Sequence, residues 1–489
     1  MNNTNMTREL RQLARGILIA FGVVLLASMF YGVVQSKSLT SRSDNPRRVI
    51  AEQTLQRGMI VDRNGVVLAT SSPTNIGDRL RRIYPYPEMI GGVGYFSYTH
   101  GASGLEATFG DLLRGEWQEF GVWDELTQDL LHQQPDGGDL RTTLDLRIQQ
   151  AITQSIGNRN GAAVVIHVPD GAVLAMVSQY TLDPNALDEN WDEFAQIQRQ
   201  RLIHNRVTEG LYRPGSIVEL VTLIGMLANG DSLDRVVENG TLPVSVGGTE
   251  FPANAFGCVD ERAAAFTDDP LLKEALAWGC PQPFVQAFGE SLTAESYDAL
   301  LRQLGLLDKP ELYDFRTVVG RSPVLPDDVS AWTLEALGQG NLRVTPLQLA
   351  RLVAAIANDG SAPPLYIADA YRMAGEREWQ ALDRPLFEKA LMRDEIAQQL
   401  RDVMRFAAEN SLLVKLANDT ELSLQGYVLH GQVGVSYINQ QMNSWFLGFM
   451  DAPDGSSVVV VVLIENAESP GEAAVVAGDA FQTTIATQP

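Results

Sequence analysis

An α+β fold is predicted for this chain of 489 residues, and three observations predict it. A hairpin signal stands at residues 161–178, and two further strand-type runs stand near the C-terminus, at Trp445–Met450 and Ser457–Ile464. Between them, from about residue 190 to 415, helical periodicity dominates. Strands at both ends of a helical middle imply a sheet assembled from the two ends of one domain. The length, about twice that at which a single hydrophobic core stops growing, implies more than one folded domain.

The first element is an uncharged run, Gly16–Val34, of 19 residues. At the helical rise it just covers a hydrocarbon core of about 30 Å. A cleaved signal peptide would have a shorter apolar region, and Val33-Val34-Gln35-Ser36-Lys37 lacks the small-x-small cleavage pattern, so an uncleaved anchor over 16–35 is expected. Arg8, Arg11 and Arg15 in the short tail 1–15 place the N-terminus in the cytoplasm and the body outside. Residues 36–56 are polar and basic with an Asn-Pro break, and read as a linker.

A small β-rich domain is expected over 57–140. Gly58–Ala69 holds two short apolar runs around Asp62-Arg63-Asn64-Gly65, a hairpin signal. The Gly101-Ala102-Ser103-Gly104 run lacks the Gly-x-Ser-x-Gly spacing of a hydrolase nucleophile elbow. A larger domain follows over 141–489. Thr142–Asp145 opens an amphipathic helix with Leu146, Ile148, Ala151, Ile152 and Ile156 at helical spacing. The hairpin over Gly161–Ser178 turns at Pro169-Asp170-Gly171, and the Val-rich run near 460 fits a buried strand.

Charge and cysteine content exclude several functions. Residues 1–50 carry a net charge of +5 and the remainder −28. So acidic a body repels nucleic acid, and no nucleic-acid partner is expected. Five scattered histidines and two cysteines give no metal-ligand spacing, and no metal or cofactor is expected. Export would permit a Cys258–Cys280 disulfide, contributing on the order of 3 kcal/mol; two buried free thiols are the alternative.

The body resembles a class B penicillin-binding protein, the serine D,D-transpeptidases that cross-link peptidoglycan. The resemblance rests on pieces in the family's order: Arg57–Gly65, Gly104-Leu105-Glu106, Thr143-Leu144-Asp145 with Gln149, and Ala175–Ser178 with Asp183-Pro184-Asn185. Tyr212–Ser216, Gly338-Gln339-Gly340, Val344–Ala350, Ala357–Gly360 and Trp445–Phe449 follow. It implies a single transmembrane helix and a β-rich pedestal of dimerisation type. A transpeptidase-like domain would follow, with an antiparallel sheet flanked by helices and a helical subdomain.

The family's catalysis needs Ser-x-x-Lys, Ser-x-Asn and Lys-Thr-Gly. A serine attacks a D-Ala-D-Ala carbonyl only with a neighbouring base, which the lysine one turn later supplies. Here the first element reads Ser216-Ile217-Val218-Glu219, keeping the nucleophile and replacing the base by a carboxylate. Ser-x-x-Glu ahead of an apolar run is also a helix capping box, and that role is expected of Ser216 and Glu219. The second element reads Gly279-Cys280-Pro281, where Gly279 lacks the hydroxyl and Pro281 the amide. The third reads Gln432-Val433-Gly434, losing the cation and the hydroxyl. His430, two residues before Gln432, would face the same side as a ligand contact, against the expectation of a solvated edge residue.

Loss at all three elements implies a pseudoenzyme, a membrane-anchored scaffold or regulatory subunit of cell-wall synthesis in division or cell-shape control. The resemblance implies partners at the anchor and pedestal, a SEDS-type glycosyltransferase or an active penicillin-binding paralogue, with a peptidoglycan peptide as a further ligand. Two rival readings stand: a residual serine acyltransferase through Ser216, and a sensor that binds wall peptides or β-lactams without turnover.

Overall fold

A computed structural model describes residues 3–30, 53–74, 79–117, 136–179, 183–192, 205–246, 249–251, Cys258, 268–313 and, with short gaps, 315–320 and 331–487. The chain divides into two compact units. The unit that holds the N-terminus contains α1 (Asn3–Met29), a helix of 27 residues. Arg8, Glu9, Arg11 and Arg15 occupy its first half, so its uncharged part runs only from Gly16 to Met29. Among the described residues, no helix is long and apolar enough to cross a membrane. Residues 31–35 of the expected span, and most of the expected linker, lie outside the described residues.

The other unit comprises residues 57–71, 82–120 and 135–489, and two larger sheets organise it beside small two-stranded ones. The first begins with the expected hairpin, β1 (Ile60–Val61) and β2 (Val67–Pro73). Asp62 builds its turn by accepting the backbone N–H groups of Asn64 and Val66, each at 2.8 Å. β1 also pairs in parallel with β3 (Asp139–Thr142). Beside the hairpin Glu106, fully buried, accepts from Arg57 Nε at 2.8 Å and Arg82 Nε at 2.6 Å.

Asp145 then caps α2 (Leu146–Ile156) by accepting the Arg147 N–H, and Leu146, Ile148, Ile152 and Ile156 are buried along one stripe. The second hairpin follows as β4 (Gly161–Val168) and β5 (Val173–Ser178). Gln149 of α2 clamps β5 by bonding both the N–H and the carbonyl of Met176, each at 3.0 Å.

The middle contains α3 (Val218–Ala228), α4 (Leu272–Ala277) and α5 (Pro346–Ala357). Past α5 the chain returns to the first sheet: β6 (Ala368–Arg372) pairs with β3 and with β7 (Gln380–Ala381). This crossing was not expected from the sequence, because β6 is a short segment just past Pro363-Pro364. α6 (Asp394–Asn410) precedes the C-terminal strands β8 (Val428–Ile438), β9 (Gln441–Asp451) and β10 (Ser457–Ile464). A last helix, α7, spans Glu472–Thr487.

The second sheet runs β8-β9-β10-β4-β5, antiparallel throughout. Its two ends of sequence meet where β10 pairs with β4, Val460 opposite Val165. Every residue of β10 is buried because both faces are covered. Val459, Val461 and Leu463 join the cluster that includes Leu349 and Val353 of α5, whereas Val458, Val460 and Val462 join Ala477 and Phe481 of α7. A strand buried on both faces reads as a continuous apolar run rather than an alternation. β8 is left at one edge, and the candidate site forms there.

Candidate active site

A 3-10 turn, Gly215–Ile217, leads directly into α3 and carries Ser216. Edge strand β8 lies on that turn at van der Waals range. Gly215 has φ +62°, and a Cβ on it would come within 2.0 Å of the Val435 carbonyl oxygen. From the other side, a Cβ on Gly434 would sit 2.7 Å from Ile217 Cγ1. Two glycines thus allow the backbones to close on each other.

Ser216 is fully buried and its Oγ accepts the Val435 N–H at 3.0 Å. The capping box expected of Ser216 and Glu219 does not form. The N-cap of α3 is Ile217, with no side-chain hydrogen bond, because the 3-10 turn displaces Ser216 from the cap and the strand N–H occupies its hydroxyl. Glu219 is fully buried, and neither carboxyl oxygen has a hydrogen-bond partner among the described residues. Burial raises its pKa well above the ordinary carboxylate value, favouring the neutral acid. Among the described residues no hydrogen bond joins Ser216 to Glu219.

Gly279 follows α4 with φ +65° and lines the same narrow space as Val433, Gly434 and Val435. Cys280 is fully buried and disulfide-bonded to Cys258. Pro281 is the N-cap of the next helix, Gln282–Glu290, a position that suits a residue without an N–H. Gln432 is buried on β8 and its Nε2 donates to the Leu276 carbonyl at 3.0 Å, tying the strand to α4. Its amide is therefore used inside the protein. The space left between α4 and β8 measures about 10 Å³, room for at most a single water.

His430 departs from the expected solvated edge position. It is buried, its ring stacks on Phe449 at 4.3 Å, and its Nε2 and Nδ1 lie 2.9 Å from Asp451 Oδ2 and the Arg401 carbonyl. The physical reason is α6, which packs across β8 and brings Arg401 onto Asp451 at 2.7 Å. His430 also lies five residues along β8 from Val435, about 17 Å at strand rise. It is a packing residue and not part of the Ser216 site.

Three site residues were missed by the sequence reading. Val435 supplies the N–H on Ser216. Arg213 Nη1 donates to the Tyr437 carbonyl at 3.0 Å, and Gln339 Oε1 accepts the Tyr437 N–H at 3.3 Å. The Gly-Gln-Gly segment at 338–340 and Tyr212–Ser216 stood out in the sequence as family pieces, but nothing local linked them to Tyr437.

The sequence and fold match one group of proteins. Residues 161–485 match the penicillin binding protein transpeptidase domain, and residues 57–140 match the penicillin binding protein A dimerisation domain. The chain belongs to the penicillin-binding protein transpeptidase family. It is 27% identical over 481 residues to the peptidoglycan D,D-transpeptidase PbpA of Mycolicibacterium smegmatis, covering 94% of each chain. It is 29% identical over 372 residues to the protein of that name in Mycobacterium tuberculosis, covering 73% of each. The crystal structure of PBPA from Mycobacterium tuberculosis superposes with a TM-score of 0.76 at 23% identity, covering 88% of this chain and 100% of that one. A penicillin G acyl-enzyme complex of penicillin-binding protein A from that organism superposes with a TM-score of 0.74, with the same identity and coverage.

Proposed function

We propose that this chain is a non-catalytic member of its family, a membrane-anchored scaffold or regulatory subunit of peptidoglycan synthesis. In this reading one span holds it in the cytoplasmic membrane, N-terminus inside and body outside. Its anchor and pedestal contact a SEDS-type glycosyltransferase or an active penicillin-binding paralogue. One observation carries the reading: Ser216 Oγ is fully buried and bonded to the Val435 N–H of the edge strand rather than to a base.

Acyl transfer needs an accessible nucleophile, a base to take its proton and donors for the oxyanion. Glu219 stands in place of the base as a buried acid favouring its neutral form. The lysine position of the third element holds Gln432, which is neutral and bonded to the Leu276 carbonyl. Members of a catalytic unit act together, so that losing one removes nearly as much as losing all, and one intact position does not keep the chemistry.

The test is labelling of the full chain with a fluorescent penicillin, read by gel and intact mass, with Ser216→Ala alongside. No adduct is expected in a folded protein. A penicilloyl adduct that disappears in Ser216→Ala would establish the rival acyltransferase reading instead.

A further inference from the structure

A cavity of about 600 Å³ opens far from Ser216 in sequence, walled by the start of the first sheet's return segment, residues 309–313 with Phe315 and Thr317, and α5. That volume is in the range of small-molecule sites. Arg351, on α5, is half-buried in its wall, with Nη1 against Gly305. The guanidinium has no hydrogen bond or ion pair among the described residues. Among the described residues, Lys309 and Lys389 also line the cavity, with Glu311 as the lining carboxylate; Lys389 leans on Asp308 at 3.6 Å. A cationic cavity is unusual in a body as acidic as this one.

We propose that this cavity binds a small amphipathic anion, its carboxylate or phosphate head on Arg351 and its apolar part against Tyr313, Leu365 and Phe387. Arg351 carries five donors in a planar fork that fits either head. Desolvation lowers the Arg351 pKa despite Glu311 and Asp308, so an anionic ligand would relieve a charge that the protein leaves poorly compensated. The apolar end is marked by Phe387, 90% exposed at the rim, whereas most large apolar side chains of this unit are buried. Pro363 and Pro364 form part of the wall. They lack N–H groups, so this wall cannot pair with an added peptide strand, which favours a small molecule over a peptide.

The probes are 2-naphthoate and 2-naphthyl phosphate, with uncharged 2-naphthalenemethanol for comparison, titrated calorimetrically into the full chain with a detergent blank. One-to-one binding of at least one anion is expected, with the alcohol weaker by about tenfold or more. Arg351→Gln should weaken the anion by about tenfold or more with little change in the melting midpoint, since among the described residues only longer-range attraction to Glu311 and Asp308 is lost and desolvation of the guanidinium is relieved. If that variant proves less stable, Phe387→Ala at the exposed rim carries the test by weakening all three probes. The stronger of the two anions identifies the head group. No anion binding, equal binding of the alcohol, or binding unchanged in Arg351→Gln or Phe387→Ala would overturn the proposal. None of these outcomes depends on whether Ser216 reacts.

Discussion

Replacing Glu219 by glutamine offers a direct measure of how closed the Ser216 site is. The side chain keeps its shape and loses its titration. Glu219 is fully buried without a partner for either oxygen, and burial raises its pKa well above the ordinary 4.5. The sign follows from proton counting. Below the unfolded value both states hold the proton and the residue contributes no pH dependence. As pH rises past it, the unfolded chain releases the proton while the native one keeps it. Native stability therefore falls by about 1.4 kcal/mol per pH unit until the native carboxyl itself ionises. At about 2 °C per kcal/mol for a large domain, the wild-type melting midpoint should drop roughly 3 °C per unit relative to Glu219→Gln. Thermal melts of both proteins at several values between about pH 5 and 7 measure this gap. Parallel curves would refute the reasoning, since they would mean that the native carboxyl is solvated and the cleft open to water.

The pedestal should show the opposite sign. Desolvation pushes the Glu106 pKa up, but Arg82 and Arg57 outweigh it and hold it below 4.5. Its contribution is therefore full above that value and lost as pH falls through the depressed one. Glu106→Gln should remove this acid sensitivity and cost about 3–5 kcal/mol by leaving two guanidiniums uncompensated, as read by denaturant midpoints. Gly434→Ala drives a Cβ to 2.7 Å from Ile217 Cγ1 and 2.8 Å from its backbone nitrogen. It should destabilise by about 1–3 kcal/mol, and an unchanged midpoint would mean that strand and turn are not in contact. Reducing the Cys258–Cys280 bridge, which spans 22 residues, should cost on the order of 3 kcal/mol in the same melt, against no change if the thiols are free.

Local chemistry made much of the frame legible in the sequence. Asp145 capping α2, the Asp62 turn and the Val-rich run of β10 each announce themselves within a few residues. The order of elements, strands at both ends of a helical middle, implied a sheet built from the two ends, and the structure supplies the specific pairing of β4 with β10. The site was legible in composition but not in arrangement. Ser216-x-x-Glu219 spells a capping box, yet the hydroxyl goes to an N–H 219 residues away. Alternation along β8 placed His430 on a side of the strand, but not beneath α6, whose position is set by tertiary packing. The β6 segment was too short to signal a strand, and its partner β3 lies more than 220 residues earlier.

The pairing of Val165 with Val460 also has a consequence for biogenesis. The chain emerges N-terminus first, so β4 and β5 exist as a hairpin long before β10 is available to cover the free edge of β4. Contacts separated by about 300 residues close late, after a large loss of chain entropy. Until then an apolar strand edge stays unpaired, the kind of template that promotes misassociation. The last 60 or so residues, from β8 to α7, therefore act as the completing piece of the domain. A nascent or truncated chain that stops short of Ser457 retains α2 to α6 and the hairpin but lacks both α7 and the strand that joins the hairpin to β9.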